Sequence, residues 1–200
     1  MSAQTQQYFT PEQYLEMERK ATYKSEYYKG EIFAMAGAKP RHTRHNRIVG
    51  NLTILTGTHL WRKRCQIFGS DQRILTATED GLYSYPDLSI ICGPPRFTDM
   101  VHDTITNPTI IIEVLSKGTE GYDRGKKFRL YRRLPSFMEY VLIDSRTLSV
   151  EIHRKSEDGI WSLMSEAEKI DQSVYLQTID LTLAMGDMYE GWADLPEDVD

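Results

Sequence analysis

The sequence has few cysteines and no long hydrophobic segment, and each of these absences excludes a class of protein. Its 200 residues contain only Cys65 and Cys92, which follow no metal-binding or redox spacing and are too few for a framework of disulfides. No apolar run approaches the roughly 18 residues of a membrane span, and the first residues lack the features of a secretion signal. We therefore expect one domain over residues 1–200, without a membrane segment, in the reducing cytoplasm.

The sequence also lacks an excess of positive charge, with a net charge of −5. Two of its segments are nevertheless strongly basic. The first basic segment, residues 39–64, holds seven Lys and Arg and no acid, and the second, residues 117–133, holds seven more beside two acids. The acidic tail, residues 187–200, has six acids and no Lys or Arg. Local patches of this kind attract polyanions, although solvated helix faces would give the same pattern.

Local patterns predict alternating helices and strands. Thr10, Pro11 and Gln13 form the capping box that begins a helix, and Lys29-Gly30 predicts the turn of a hairpin. Apolar spacing predicts two long helices, at 43–63 and 122–133. Strands are expected at 65–68, 73–76, 86–92, 109–115, 139–144, 148–155 and 160–164. This order is typical of an α/β (α+β) domain whose mixed central β-sheet is flanked by helices on both faces.

One carboxylate interrupts the most hydrophobic of these strands. In TIIIEVL, Glu113 lies within a β-branched run that is typical of a strand covered on both faces. Burying an unpaired carboxylate costs several kcal/mol, so Glu113 either pairs with a basic residue or has a functional role. Because side chains alternate along a strand, Glu113 and the Asp87 of YPDLSII converge if the two strands are neighbours. Two adjacent carboxylates need a cation or a proton between them. Taken alone, Asp87 is equally typical of a turn.

Helical spacing singles out one lysine in the second basic segment. At about 100° per residue, Lys127 shares a stripe with Asp123, Leu130 and Tyr131, whereas Lys126 lies off it. One interpretation is a simple helix pair between Asp123 and Lys127. The other is a lysine held over the strand of Glu113, where it could orient a water or stabilise charge on a phosphate.

Taken together, three segments resemble the Uma-type family of restriction endonucleases, which belongs to the PD-(D/E)XK nuclease superfamily. They are SEYYKGEIFAMAGAKPRHTRHNRIVGNL, YPDLSII and IIIEVLSKGTEGYDRGKKFRLYRRLPSFMEYVLID, and the resemblance covers roughly residues 8–190. The superfamily pattern is Pro-Asp followed later by Glu-x-Lys. Asp87 and Glu113 match it, but Leu115 stands at the lysine position. In this family the YDRGxKF pattern places the lysine at Lys127 instead.

This resemblance implies a restriction-endonuclease-like core that cleaves DNA, as a homodimer and without an organic cofactor. We expect Mg²⁺, or Mn²⁺ in its place, to be held by Asp87, Glu113 and the backbone carbonyl of Val114. Lys127 would complete the catalytic site. Glu31, which also matches a family position, could add a metal ligand or orient a water, or it could be an exposed hairpin acid.

The resemblance and the basic segments together suggest where DNA would bind. His45 matches another family position and could contact a phosphate or the leaving group, or serve the helix start. Besides His45, the residues that we expect to contact the DNA backbone are Arg44, Arg47, Arg124 and Lys126; Asp71 has no assigned role. The sequence thus predicts a metal-dependent DNA endonuclease. The alternatives are a non-catalytic nucleic-acid-binding or interaction module on the same fold and, with little support from the scattered tyrosines, a sugar hydrolase with a carboxylate pair.

Overall fold

The computed structural model describes residues 8–35 and 43–197, in which helices are separated by groups of strands. Helices α1 to α5 are Pro11–Glu18, Thr43–Leu60, Glu120–Tyr122, Phe128–Tyr131 and Met185–Met188. A π-helical turn, Asp123–Lys127, joins α3 to α4, and a 3-10 turn is formed by Gln177–Ile179. Strands β1 to β13 are Ser25–Tyr28, Glu31–Ala34, Cys65–Gly69, Arg73–Leu75, Tyr83–Ser84, Leu88–Cys92, Thr104–Ile105, Ile110–Leu115, Glu139–Asp144, Val150–Lys155, Trp161–Ala167, Ser173–Leu176 and Leu181–Ala184. Lys39 and Arg41 of the first basic segment lie outside the described residues.

The strands form a six-stranded sheet, a five-stranded sheet and a hairpin. The six-stranded sheet has the order β11-β10-β9-β8-β6-β3 and is mixed, because β8 and β9 are parallel while its other pairs are antiparallel. This is the mixed central sheet that the sequence predicts. The five-stranded sheet, β2-β1-β5-β4-β7, was not anticipated as a separate layer. Strands β5 and β7 have two residues each, too few to show any periodicity.

Both faces of the six-stranded sheet are covered, as expected. On one face Ile48 and Leu52 of α2 pack against Ile110 and Ile112 of β8. On the opposite face Tyr131 packs against the alternate residues of β8 and their neighbours in β9. Each fully buried aliphatic side chain contributes about 1.5–3 kcal/mol relative to an exposed one. The run that surrounds Glu113 therefore forms the centre of two cores.

The predicted N-terminal signals are confirmed. The Thr10 side chain accepts a hydrogen bond from the Gln13 amide, and the Gln13 side chain accepts one from the Thr10 amide. Lys29 and Gly30 both have positive φ, 49° and 88°, as a two-residue hairpin turn requires. Helix α2 ends three residues before the predicted boundary. Arg62, with φ of 60°, leaves the helical region there.

The two cysteines form a disulfide, which the sequence did not predict. Cys65 and Cys92 lie directly opposite each other on β3 and β6, with Cα atoms 4.0 Å apart. Their separation of 27 residues gives no hint of this pairing until the register of the two strands is known. Because disulfides are rare in reducing compartments, the cytoplasmic location stays a prediction. Among the described residues, no helix is long and apolar enough to cross a membrane.

Candidate active site

The candidate active site lies where the six-stranded and five-stranded sheets meet. Asp87 stands between β5 of the smaller sheet and β6 of the larger one, and Glu113 lies on the neighbouring strand β8. Leu88 is opposite Ile112 in the antiparallel register, so the two acids come together. The Asp87 amide donates to Glu113 Oε2 at 3.3 Å, and the Val114 amide donates to Asp87 Oδ2 at 2.8 Å. The alternation of side chains in the two strands produces this convergence.

Glu113 is a buried carboxylate with polar partners, its side chain only 4% exposed. Its Oε1 accepts hydrogen bonds from Lys127 Nζ at 3.1 Å and from the Tyr131 hydroxyl at 2.9 Å. Burial raises the pKa of Glu113 to about 8, against the opposing charge of Lys127 and with help from the nearby Asp123 and Asp87. An additional cation close to Glu113 would favour the ionised form of this group and lower its pKa.

Lys127 places one ammonium among three carboxylates. Its Nζ lies 3.1 Å from Glu113 Oε1, 3.1 Å from Asp123 Oδ1 and 3.6 Å from Glu26 Oε1. Burial would lower the pKa of Lys127, but the surrounding acids outweigh it and raise that pKa well above the usual value. The ammonium is therefore charged. Both interpretations of this lysine are realised in the geometry, since it pairs with Asp123 and also reaches Glu113.

The helix that carries Lys127 is wound in an unusual way. The sequence predicts one helix over 122–133, whereas the structure has an interrupted helix over residues 120–131, in which the π-helical turn separates two short α-helical pieces. The Tyr140 hydroxyl donates to the Asp123 carbonyl at 3.1 Å within this turn. Single π turns are frequent at functional sites. The turn leaves Lys127 buried, while Lys126 Nζ lies over the rings of Tyr28 and Phe33.

Asp87 is the accessible member of the acid pair, with 21% of its side chain exposed. His45 Nε2 lies 3.2 Å from Asp87 Oδ2. Burial works to raise the pKa of Asp87, but the hydrogen bonds and charge of His45, with the Val114 amide, hold it below the usual value. Among residues 8–35 and 43–197, both side-chain hydrogen bonds of Asp87 reach Oδ2 and none reaches Oδ1. An ionised, partly exposed carboxylate of this kind can bind a cation.

The donor set fits Mg²⁺ if water or phosphate completes the coordination. Asp87 and Glu113 supply hard oxygen ligands, and Mg²⁺ in proteins commonly uses only one or two carboxylates. Within the described part of the chain, no group of three or more His, Cys, Asp or Glu residues could hold a metal ion. The Val114 amide is used to fix Asp87. The Val114 carbonyl as a metal ligand stays a prediction.

Glu26 is a site residue that the sequence reasoning missed. It lies on β1, and its Oε2 accepts a hydrogen bond from the Tyr122 hydroxyl at 2.8 Å. Glu31, which was predicted to be catalytic, begins β2 beside the hairpin turn, and Glu26 rather than Glu31 reaches Lys127. The signal was a lone acid inside the short strand SEYY, as Glu113 is in its own strand. The catalytic role of Glu31 stays a prediction.

Two predicted DNA-binding arginines of α2 contact the C-terminal part of the chain. Arg44 Nε donates to the Leu195 carbonyl at 3.1 Å, and its guanidinium lies 4.6 Å from the Trp192 ring centre. Arg47 donates to the Glu190 carbonyl at 2.9 Å and also bonds the Glu190 carboxylate. The Arg44 side chain is only 12% exposed and would have to exchange partners to bind a phosphate, whereas that of Arg47 is 45% exposed. Their DNA contacts stay predictions.

The remaining predicted positions are also paired. Arg124 bonds Glu120 at 2.9 Å and Glu151 at 2.7 Å, with 34% of its side chain exposed. Asp71 forms an exposed ion pair with Lys24 at 2.6 Å, which contributes about 0–1 kcal/mol. Neither residue belongs to the acid cluster around Lys127. A DNA contact by Arg124 stays a prediction as well.

One protein family and two individual proteins are similar to this chain in sequence. The Uma2 family model, described as "Putative restriction endonuclease", matches residues 11–185. Two uncharacterized proteins of Synechocystis sp. (strain ATCC 27184 / PCC 6803 / Kazusa) are similar. The protein sll1609 is 39% identical over 176 residues, 86% of this chain and 97% of its own length. The protein slr1290 is 34% identical over 184 residues, 92% of this chain and 93% of its own length.

A solved structure shares the fold. It is described as a "putative nuclease belonging to DUF820" from Anabaena variabilis ATCC 29413, and it superposes with a TM-score of 0.68 at 18% identity. The match covers 92% of this chain and 98% of that chain. At this level of identity the likeness concerns the fold.

Proposed function

Because this chain belongs to the Uma2 family, we propose that it is a Mg²⁺-dependent DNA endonuclease that hydrolyses phosphodiester bonds. The observation that carries the proposal is the contact between Asp87 and Glu113, 3.3 Å from amide to carboxylate, beside the buried Lys127. Two acids and one lysine of this kind are what the PD-(D/E)XK resemblance implies. A homodimer, which the same resemblance implies, would present two such sites.

Asp87 and Glu113 would hold the ion, with the Val114 carbonyl as a third ligand and Mn²⁺ as a substitute for Mg²⁺. The chemistry that a bound ion would supply is polarisation of the scissile phosphate and a lower pKa of an attacking water. The chain's own groups fix the geometry. His45 and the Val114 amide hold Asp87, and the Tyr131 hydroxyl holds Glu113. The Lys127 ammonium would position the water or offset negative charge on the phosphate.

Replacing Glu113 with glutamine tests the acid pair. We expect Glu113→Gln to abolish Mg²⁺-dependent cleavage while DNA binding stays intact. Above about pH 8, where Glu113 is ionised, binding should become slightly tighter, because a negative charge near the phosphate is removed. Asp87→Asn should behave in the same way. The measurement is single-turnover cleavage of plasmid and oligonucleotide DNA at saturating protein, with binding measured in EDTA. Unchanged cleavage by Glu113→Gln would refute this assignment of the metal site.

A matched pair of variants on the interrupted helix tests the lysine. We expect Lys127→Ala to lower the single-turnover rate by roughly 10²-fold or more, the scale of a lost proton-transfer or charge-stabilising group. Arg129→Ala removes one positive charge from an exposed position of the same helix and should leave that rate nearly unchanged. Circular dichroism must show that both variants fold. Similar rates for the two variants would mean that Lys127 acts only through its contribution to the overall charge.

A non-catalytic nucleic-acid-binding module is the second candidate function. The observation in its favour is that the Lys127 ammonium already forms ion pairs with Glu113, Asp123 and Glu26 without a metal ion. In that case the protein would bind DNA equally in EDTA and in Mg²⁺. It would cleave no substrate with Mg²⁺ or Mn²⁺, even at high protein concentration. Metal-dependent cleavage that Glu113→Gln abolishes would exclude this alternative.

A further inference from the structure

A cavity of about 570 Å³ lies beside the candidate active site, between β2 and the interrupted helix. Phe33 and Met35 line it from β2 and the residue that follows, and Tyr122 lines it from the helix. Lys127 also belongs to its wall, and the Lys127 ammonium is 3.1 Å from Glu113. The cavity is thus one side chain away from the acid pair. Its volume lies within the range of small-molecule sites, about 300–1,000 Å³.

The two acids that line this cavity are already engaged by Lys127. Glu26 Oε1 and Asp123 Oδ1 lie 3.6 Å and 3.1 Å from the Lys127 ammonium, and the two side chains are only 7% and 4% exposed. Both oxygens are buried, and their ion pairs with this ammonium account for them. The acids therefore offer little free negative charge to a ligand in the cavity.

The remaining surface of the cavity suits a flat and uncharged group. Phe33 is 39% exposed, and the Lys126 ammonium lies 5.1 Å from its ring centre. Nucleic-acid bases stack on exposed aromatic rings of this kind with little regard to sequence. The wall holds two acids, Glu26 and Asp123, and two lysines, so its formal charges cancel. A neutral base fits this balance better than a polyphosphate, which the acids would repel.

We propose that this cavity binds the base of an unpaired nucleotide next to the scissile phosphate, so that the preferred substrate is single-stranded or frayed DNA. This inference rests on the proposed function. The ring of the base would stack on Phe33. In a duplex the bases are stacked inside the helix, so a base enters such a cavity only from an unpaired segment or after unstacking.

Binding measured in EDTA tests the cavity without requiring cleavage. Fluorescein-labelled single strands and duplexes of equal length are titrated with the wild-type protein, Phe33→Ala, Phe33→Tyr and Trp61→Ala. We expect the wild type to bind the single strand more tightly. Phe33→Ala should weaken that binding on the order of 10-fold and leave duplex binding within about twofold. Phe33→Tyr should retain binding, because it keeps the ring. Trp61→Ala removes a 75% exposed aromatic residue beyond the end of α2 and should change neither.

Two outcomes would overturn the inference. One is equal binding of single strand and duplex by the wild type, and the other is an equal loss on both substrates with Phe33→Ala. Preference for single strands without any metal-dependent cleavage would support the cavity and refute the endonuclease. Duplex cleavage without this preference would do the reverse.

Discussion

Replacing Lys127 with methionine measures how much stability the protein draws from its buried ammonium. Methionine keeps most of the apolar stem and removes the charge. The side chains of Glu113, Asp123 and Glu26 are each less than one-tenth exposed, and all three contact Lys127 Nζ within 3.6 Å. Removing one partner of a buried ion pair costs about 3–5 kcal/mol, because an uncompensated charge stays behind. We expect Lys127→Met to lower the free energy of unfolding by about this amount at pH 8.

The loss should shrink as the pH falls, and the pKa of Glu113 gives the sign. Burial raises the pKa of Glu113 to about 8 while Lys127 opposes it, so removal of the ammonium raises that pKa further. A carboxyl whose pKa is higher in the folded state than in the unfolded state stabilises the fold at low pH and loses that contribution as the pH rises. Up to about pH 8, Glu113 is protonated in both folded proteins, and above that pH only the wild type ionises it beside an ammonium. The deficit of Lys127→Met should therefore be larger at pH 9 than at pH 7.

Urea unfolding followed by circular dichroism at these two pH values provides the measurement. Lys126→Met is the matched control, because Lys126 is half-buried and contacts the rings of Tyr28 and Phe33. Losing such cation–π contacts costs about 0.5–1 kcal/mol, with little dependence on pH in this range. Equal losses for the two lysine variants would refute the reasoning. A Lys127→Met deficit that is the same at pH 7 and pH 9 would do so too.

Two further predictions concern parts of the fold outside the candidate site. Asp103 accepts from Arg19 at 2.7 Å and pairs with Arg73 at 3.0 Å, and although burial works to raise its pKa, the arginines lower it to about 2. Asp103→Asn should therefore lower the free energy of unfolding by about 1–2 kcal/mol at pH 7, after allowance for solvent screening. Unfolding measured at decreasing pH should show this difference disappear between about pH 4 and pH 2. Reducing the disulfide of Cys65 and Cys92, which closes a loop over a separation of 27 residues, should cost about 3–4 kcal/mol by the loop-entropy estimate. Identical urea midpoints with and without dithiothreitol would contradict this second expectation.

The part of the candidate site that follows from short-range periodicity could be predicted from the sequence. The alternation of side chains in two strong strands brought Asp87 and Glu113 together, once those strands proved to be neighbours. The helical stripe picked Lys127 over Lys126, even though the turn is π-helical rather than α-helical. Both inferences rely on patterns that repeat within a few residues. Such patterns persist whatever the rest of the chain does.

The contribution of the five-stranded sheet could not be predicted in the same way. Glu26 reaches Lys127 only because β1 pairs with β5 and thereby stands opposite the interrupted helix. Strand β5 is two residues long, Tyr83–Ser84, and gives no pattern to recognise. The pairings of Arg44 and Arg47 were equally hidden. Composition shows a basic segment and an acidic tail, but it does not show that the two meet in space.

The π-helical turn affects how relatives of this chain should be aligned. A π turn holds one residue more than the α turn it replaces, so a homologue could lose one residue between Asp123 and Lys127 and still keep the α-helical pieces on both sides. In this chain 14 positions separate Glu113 from Lys127. A search pattern with that interval fixed would miss such a homologue or assign its lysine to the wrong column. A template that matches the two side chains by their distance in space would find it.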